Sequence, residues 1–228
     1  MPEEVMRHEI KYLIDQFDVL ILRKRLNRIM KPDSYADSDG YYLVTSLYFD
    51  NDADESLFDK LDGIDPREKI RLRYYGSSPK QFKLEKKIKC AGLCHKQSIN
   101  LDLKTGYQLM TGNNHFLLEQ NDPVCHALYI KLKDCVLKPK TWVIYRREAY
   151  IFPVARVRVT IDRDVQSVVF RNGFFAPGLA RVPADLDGLA ILEVKYDQFL
   201  PSVIAELIQP CHGQNTALSK YALCRIHE

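Results

Sequence analysis

The stretch Arg67–Lys89 reads R-E-K-I-R-L-R-Y-Y-G-S-S-P-K-Q-F-K-L-E-K-K-I-K, and its alternation decides the fold. Lys69, Arg71 and Arg73 alternate with Ile70, Leu72 and Tyr74. After the turn signal Gly76-Ser77-Ser78-Pro79, Lys83, Glu85, Lys87 and Lys89 alternate with Phe82, Leu84 and Ile88, and only Lys86 interrupts the apolar series. A period of two predicts strands, and the turn joins them into an antiparallel hairpin. Successive strand side chains point to opposite faces, so one face is ionised and the other apolar. For a single hairpin, a charged face turned to water is explanation enough. That explanation weakens when the pattern recurs, because like charges opposite one another on a sheet repel unless an anion sits among them.

The pattern does recur. Arg7, Glu9 and Lys11 share one face of a predicted strand over 5–12, and Tyr145, Arg147 and Ala149 one face of a strand over 141–151. In a strand over 155–165, Arg156, Arg158, Thr160 and Asp162 oppose Val157, Val159 and Ile161; over 189–196, Glu193 and Lys195 oppose Leu192 and Val194. Further strands are predicted over 41–49 and 94–101, the latter with Lys96 and Ser98 on one face, and 166–171 continues the meander before a Gly-, Pro- and Asp-rich loop over 172–188. Between them lie helices over 16–30, 52–62, 103–111, 122–137, 200–209 and 216–226. The first takes Asp15 as its cap and the last Asn215 or Thr216. Val19, Leu22, Leu26, Ile29 and Met30 make an apolar stripe on the first helix, and such stripes must be buried on something. The apolar sheet face is the available partner. The expected fold is therefore α+β, an antiparallel β-barrel with helices packed on its outside, the charged face inside, and residues 1–228 forming one domain. Closure also removes exposed strand edges.

The 228 residues are 46% hydrophobic and 28% charged with a net charge of only +3, so any positive field comes from local clustering rather than from overall basicity. No apolar run approaches the ~18 residues that cross a bilayer. The opening Met-Pro-Glu-Glu-Val lacks the pattern of a signal peptide, so the expected location is the cytoplasm. Six cysteines read as reduced thiols: Cys90-x3-Cys94-His95 together with Cys211-His212 fits no common zinc spacing.

An inward ring of Lys and Arg is costly unless a polyanion fills it, and phosphate chains suit the planar fork of Arg and the point charge of Lys. Glu9, Glu85 and Glu193 lie among those cations, and Mg²⁺ or Mn²⁺ bridges one or two carboxylates to phosphate oxygens. For each carboxylate the alternative is an ion pair with a cross-strand Lys or Arg. Basic strands with Tyr48, Tyr74 and Tyr75 also suggest RNA stacking, but the interleaved carboxylates would repel a nucleic-acid backbone.

The motifs H-E-I-K-Y, S-L-Y-F-D-N, I-R-L-R-Y-Y-G, L-E-K-K, Y-R-R-E-A-Y, V-R-V-T-I-D, L-E-V-K-Y and L-S-K-Y follow one another across nearly the whole chain. In that order they resemble the polyphosphate polymerase domain of the vacuolar transporter chaperone family, within the triphosphate tunnel metalloenzymes. The resemblance implies a C-terminal helix near one end of a tunnel, and transfer of the terminal phosphate of ATP onto inorganic polyphosphate with Mn²⁺ or Mg²⁺. It implies Lys11, Arg71, Arg73, Lys87, Arg147, Arg158 and Lys220 as catalytic residues. Tyr145, Ser219 and Lys96 would bind substrate, Lys96 in surroundings that fit loosely, and Glu193 would hold the metal. Lys69 joins the substrate-binding set because it shares the face of Arg71 and Arg73. Hydrolytic members of the superfamily begin E-x-E-x-K, whereas Arg7 stands at the first of those positions. That departure favours the polymerase branch over a triphosphatase, and the full basic set with Glu193 favours either over a non-catalytic polyphosphate-binding module. No nucleic-acid partner and no membrane span are expected; self-association is left open.

Overall fold

The structure is a computed structural model that describes residues 6–169, 180–184, 186–209 and 214–226. The first strand, β1 (Arg7–Ile14), turns into α1 (Gln16–Ile29) at Asp15, whose carboxylate accepts from the Asp18 backbone N–H at 2.7 Å. The chain continues through β2 (Lys31–Pro32), β3 (Tyr42–Asp50), α2 (Glu55–Leu61) and the hairpin β4 (Arg67–Tyr75) with β5 (Phe82–Cys90). Next come β6 (Leu93–Leu101), α3 (Leu103–Met110), α4 (Pro123–Asp134) and the two long strands β7 (Lys138–Phe152) and β8 (Val157–Val169). The last part holds β9 (Val182–Pro183), β10 (Ala190–Tyr196), α5 (Ser202–Leu207), β11 (Gln214–Asn215) and α6 (Lys220–Arg225). Residues 172–179 of the expected long loop, 170–171 of the expected meander and the Cys211-His212 pair lie outside the described residues.

Eight strands pair antiparallel in the order β7-β3-β4-β5-β6-β1-β10-β8, and β8 pairs back with β7, closing the barrel. The seam between β6 and β1 is short, with only Arg7 opposite Cys94 and His8 opposite Leu93; further along β1, Tyr12 and Leu13 pair instead with β11.

Period-two alternation sends the apolar residues outward under two helical layers. On one side α3 and α4 bury Leu109, Leu128 and Leu132 against Leu47, Leu72, Leu84 and Trp142. On the other, Val19, Leu22 and Leu26 of α1 and Ile204 of α5 lie against Val157, Val159, Ile161, Leu192 and Val194. A third cluster is internal. Tyr221, Ala222 and Cys224 of α6 pack on inward-facing Val44, Tyr48, Val143, Tyr145, Val165 and Ile191, so the C-terminal helix fills part of one end of the barrel.

The last helix begins later than its sequence suggests. Ser219, rather than Asn215 or Thr216, caps it, and 214–215 extend as a strand against β1. Arg156 also departs from expectation. Ala155 and Arg156 have φ of 52° and 46° in a turn before β8, which takes Arg156 out of the strand alternation, and its guanidinium pairs with Asp197 at the rim.

Candidate functional site: a cationic tunnel

Strand parity delivers charged side chains from β1, β4, β5, β6, β7, β8 and β10 into one interior. Two connecting chambers run through it. The lower, on the α6 side, is lined by Lys11, Lys69, Arg71, Arg73, Lys87, Tyr145, Arg147, Glu193, Ser219 and Lys220, with Lys60, Arg67 and Lys89 at its mouth. The upper is lined by Lys96, Arg158, Thr160 and Tyr75. Glu9, Arg71, Arg73, Lys87, Arg147, Glu193 and Lys195 belong to both chambers and form the waist. Every site residue expected from sequence thus faces the tunnel, Lys96 and Arg158 on the upper side.

Buried carboxylates organise the waist. Glu9 accepts from Lys87 Nζ at 2.7 and 2.8 Å and lies 3.1 Å from Lys11 Nζ, while Lys11 and Lys195 reach Glu193 at 3.4 and 2.8 Å. Lys11 Nζ also donates to the Leu218 carbonyl at 3.0 Å, tying β1 to the segment that leads into α6. Burial alone would raise both carboxyls, and for Glu9 the charge of Glu193 adds to that. The lysines around them outweigh these effects and hold both well below the usual carboxylate range. Lys11, facing both, is raised despite burial; Lys87 is drawn down by burial and by Lys11 and Lys195, against the pull of Glu9.

Glu85, wholly buried, accepts from Arg71 Nε at 2.7 Å and Lys96 Nζ at 2.8 Å, with Arg73 at 3.7 Å. Arg73 donates to Ser46 Oγ and the Tyr145 hydroxyl, and Arg71 to the Tyr48 hydroxyl. Asp162, also wholly buried, receives two hydrogen bonds from Arg147 at 2.6 and 2.7 Å and an ion pair from Lys220 at 2.5 Å. Arg158 binds Asp33 at 2.6 Å and the Tyr42 hydroxyl at 2.8 Å.

Among the described residues no three metal-ligating side chains converge. The carboxylates that could hold a metal are the pair Glu9 and Glu193, both held in the ionised form and both meeting at Lys11. Such a pair would suit a hard divalent cation that binds through one or two carboxylates and completes its shell with water and substrate oxygens. Glu85 stands apart, surrounded by Arg71, Arg73 and Lys96, and is an ion-pair hub.

Several tunnel residues were not singled out by sequence reading. Asp162 and Lys195 carried the right parity but no assigned role. Arg67 shares the parity of Lys69, Arg71 and Arg73 at the start of β4 but was given no role. Lys60 comes from a helix, and Asp33 reaches the tunnel through Arg158 from a loop, where no alternation marks them. Asp50, read as a strand terminator, is fully buried; it accepts from the Ser56 and Leu57 N–H groups at the start of α2 and from the Tyr221 hydroxyl at 2.6 Å, holding α6 in place.

The closed eight-strand antiparallel barrel with a cationic interior and helices outside has the triphosphate tunnel fold. A putative adenylyl cyclase from Hippeastrum, described as having a dominant triphosphatase activity, shares the fold at 15% identity over 98% of this chain and 96% of that one, with a TM-score of 0.52. A putative adenylate cyclase from Bacillus halodurans aligns at 14% identity over 92% and 95% of the two chains, with a TM-score of 0.48. No curated protein sequence matches the chain. The VTC domain family matches residues 6–226, and the chain belongs to that family.

Proposed function

We propose that this protein is a metal-dependent polyphosphate polymerase that transfers the terminal phosphate of ATP onto a polyphosphate chain held in the tunnel. The observation that carries the reading is the waist, where Lys11, Lys87 and Lys195 pair with Glu9 and Glu193, and Arg71, Arg73 and Arg147 line the same cavity of a closed barrel. Phosphoryl transfer asks the protein chiefly for positioning and charge stabilisation, so no Ser or Cys nucleophile is needed; the acceptor is the terminal phosphate of the chain. Arg71, Arg73 and Arg147 are already fixed in direction by Glu85, Ser46, Tyr145 and Asp162, and this preorganisation favours charge that develops between donor and acceptor. Lys11, Lys69, Ser219 and Lys220 extend the same surface toward the lower mouth, and Lys96 and Arg158 toward the upper. A Mn²⁺ or Mg²⁺ held by Glu193 and Glu9 would neutralise phosphate charge at the waist.

A triphosphatase is the second reading, favoured by the activity described for the Hippeastrum protein of the same fold. Arg7 counts against it: where hydrolytic members carry a carboxylate, this side chain instead pairs with Asp197 at 2.9 Å at the rim. Incubation with ATP and Mn²⁺ separates the readings. A ladder of polyphosphate on a stained gel supports the polymerase, and orthophosphate released from tripolyphosphate without chains supports the hydrolase. The site lies in a chain with no helix long and apolar enough to cross a membrane among its described residues.

A further inference from the structure

The two mouths of the tunnel differ in chemistry. Lys60, Lys69 and Lys89 at the lower mouth have no carboxylate within ion-pair distance among the described residues, and the rings lining that chamber, Tyr48 and Tyr145, are buried. The upper mouth carries an aromatic pair, Tyr75 in its lining and Tyr35 stacked on it, beside Lys96, Arg158 and Asp122. Tyr35 is 70% exposed, and its ring stacks on Tyr75 with centroids 6.1 Å apart and planes 17° apart, while Tyr42 meets both rings edge-on. With one face on Tyr75, Tyr35 turns its other face to solvent.

Polar atoms lead from the waist to that ring. Thr160 lies opposite Glu193 on the neighbouring strand, and Arg158 opposite Lys195, one step further out. Both line the upper chamber. Among the described residues the Thr160 hydroxyl and Arg158 Nε are buried without a hydrogen-bond partner, and Thr160 is only 3% exposed. Buried polar groups are ordinarily satisfied, so two orphans on residues that line this chamber set it apart as the place where a ligand could supply the missing partners after a small side-chain shift. The other guanidinium end of Arg158 holds Asp33, two residues before Tyr35, and the Asp33 N–H donates to the Ala149 carbonyl at 2.8 Å, fixing this loop against the barrel.

We infer that the upper mouth is a nucleoside subsite. The donor's inner phosphate or ribose oxygens meet Arg158 Nε and Thr160 Oγ1, and its purine base stacks on the open face of Tyr35. The subsite rests on the reading of the waist as the place of the terminal phosphate. It also gives the tunnel a direction, with the donor at the aromatic mouth and the lysine mouth left to the polyphosphate chain.

The test compares ATP with inorganic tripolyphosphate, which has the phosphates without the base, by calorimetric titration in EDTA on the parent, Tyr35→Ala and Tyr35→Phe. Loss of one base–aromatic stack should weaken ATP about tenfold in Tyr35→Ala. Tripolyphosphate affinity should be unchanged, and Tyr35→Phe should restore ATP binding. An unchanged ATP affinity, an equal loss for both ligands, or a parent that does not bind ATP overturns the subsite. Because the readout is binding, it stays separate from the polymerase reading: a protein that binds ATP through Tyr35 yet makes no polyphosphate keeps the subsite and loses the polymerase.

Discussion

Lys69 Nζ lies 3.2 Å from Ser219 Oγ, so one hydrogen bond links the central hairpin to the residue that caps the last helix. The ammonium also sits over the Tyr221 ring, 5.0 Å from its centroid. Burial, together with Lys11, Lys60 and Arg67, pushes the Lys69 pKa down to about 7.

The first prediction follows from that depression. A polyanion in the lower chamber favours charged Lys69 and raises its pKa, so binding takes up a proton above pH about 7. Affinity for tripolyphosphate should rise as pH falls toward about 7 and level off below it. Calorimetry at pH about 8 in two buffers of different ionisation enthalpy should show proton uptake that disappears in Lys69→Met. The stability sign is the reverse of an ordinary ion pair. A lysine whose folded pKa lies below its unfolded value penalises the fold at low pH, and the penalty fades as pH rises from about 7 toward the unfolded value. Lys69→Met should therefore stabilise the ligand-free protein most at pH 7 and below. Identical proton uptake in parent and variant would remove Lys69 from the phosphate path.

Glu193→Gln separates binding from chemistry. The change removes one negative charge from a cationic waist, so tripolyphosphate affinity in EDTA should hold or tighten on Coulombic grounds. Turnover of ATP with Mn²⁺ should collapse. Glu9→Gln should show the same split, because the two carboxylates meet at Lys11. A Glu193→Gln protein that turns over ATP near the parent rate would exclude it as the essential metal ligand.

Arg158→Ala should weaken tripolyphosphate. A hydrogen bond to a charged group is worth about 1.5–3 kcal/mol. The Arg158 side chain is 36% exposed and partly engaged by Asp33, so the lower end of that range is expected, about tenfold in affinity. An unchanged calorimetric affinity would place the phosphate chain away from the upper chamber.

Asp162→Asn tests the waist as a structural unit. It leaves the Arg147 guanidinium and the Lys220 ammonium buried without their counter-charge, and breaking such a pair costs about 3–5 kcal/mol. Urea denaturation should show that loss. Tripolyphosphate should recover more stability in the variant than in the parent, since a bound anion replaces the missing charge. Equal recovery in both proteins would mean that the ligand does not reach Arg147 and Lys220.

The sequence by itself determined the class of fold and which face each strand residue of the tunnel takes. Strand periodicity is a local property: the parity of Lys69, Arg71 and Arg73 in one run, or of Glu193 and Lys195 in another, assigns each side chain to a face without knowledge of its neighbours. Eight ordered motifs then carried the family. Only the tertiary structure decided the pairing. Glu9 and Glu193 belong to β1 and β10, and no local pattern says that these strands are adjacent or that Lys11 bridges the two carboxylates. Glu85 had the same parity as both, and its place among Arg71, Arg73 and Lys96 follows from the register of β4, β5 and β6. Arg156 had the parity of Arg158 but left the tunnel because a turn with positive φ intervenes. Asp33, Asp50 and Ser219 act from loops and element ends, where alternation is silent. The reason is common to all of them: side-chain direction follows from backbone geometry a residue or two away, whereas the ionisation and partners of a buried charge follow from groups that barrel closure brings within a few ångströms from distant parts of the chain.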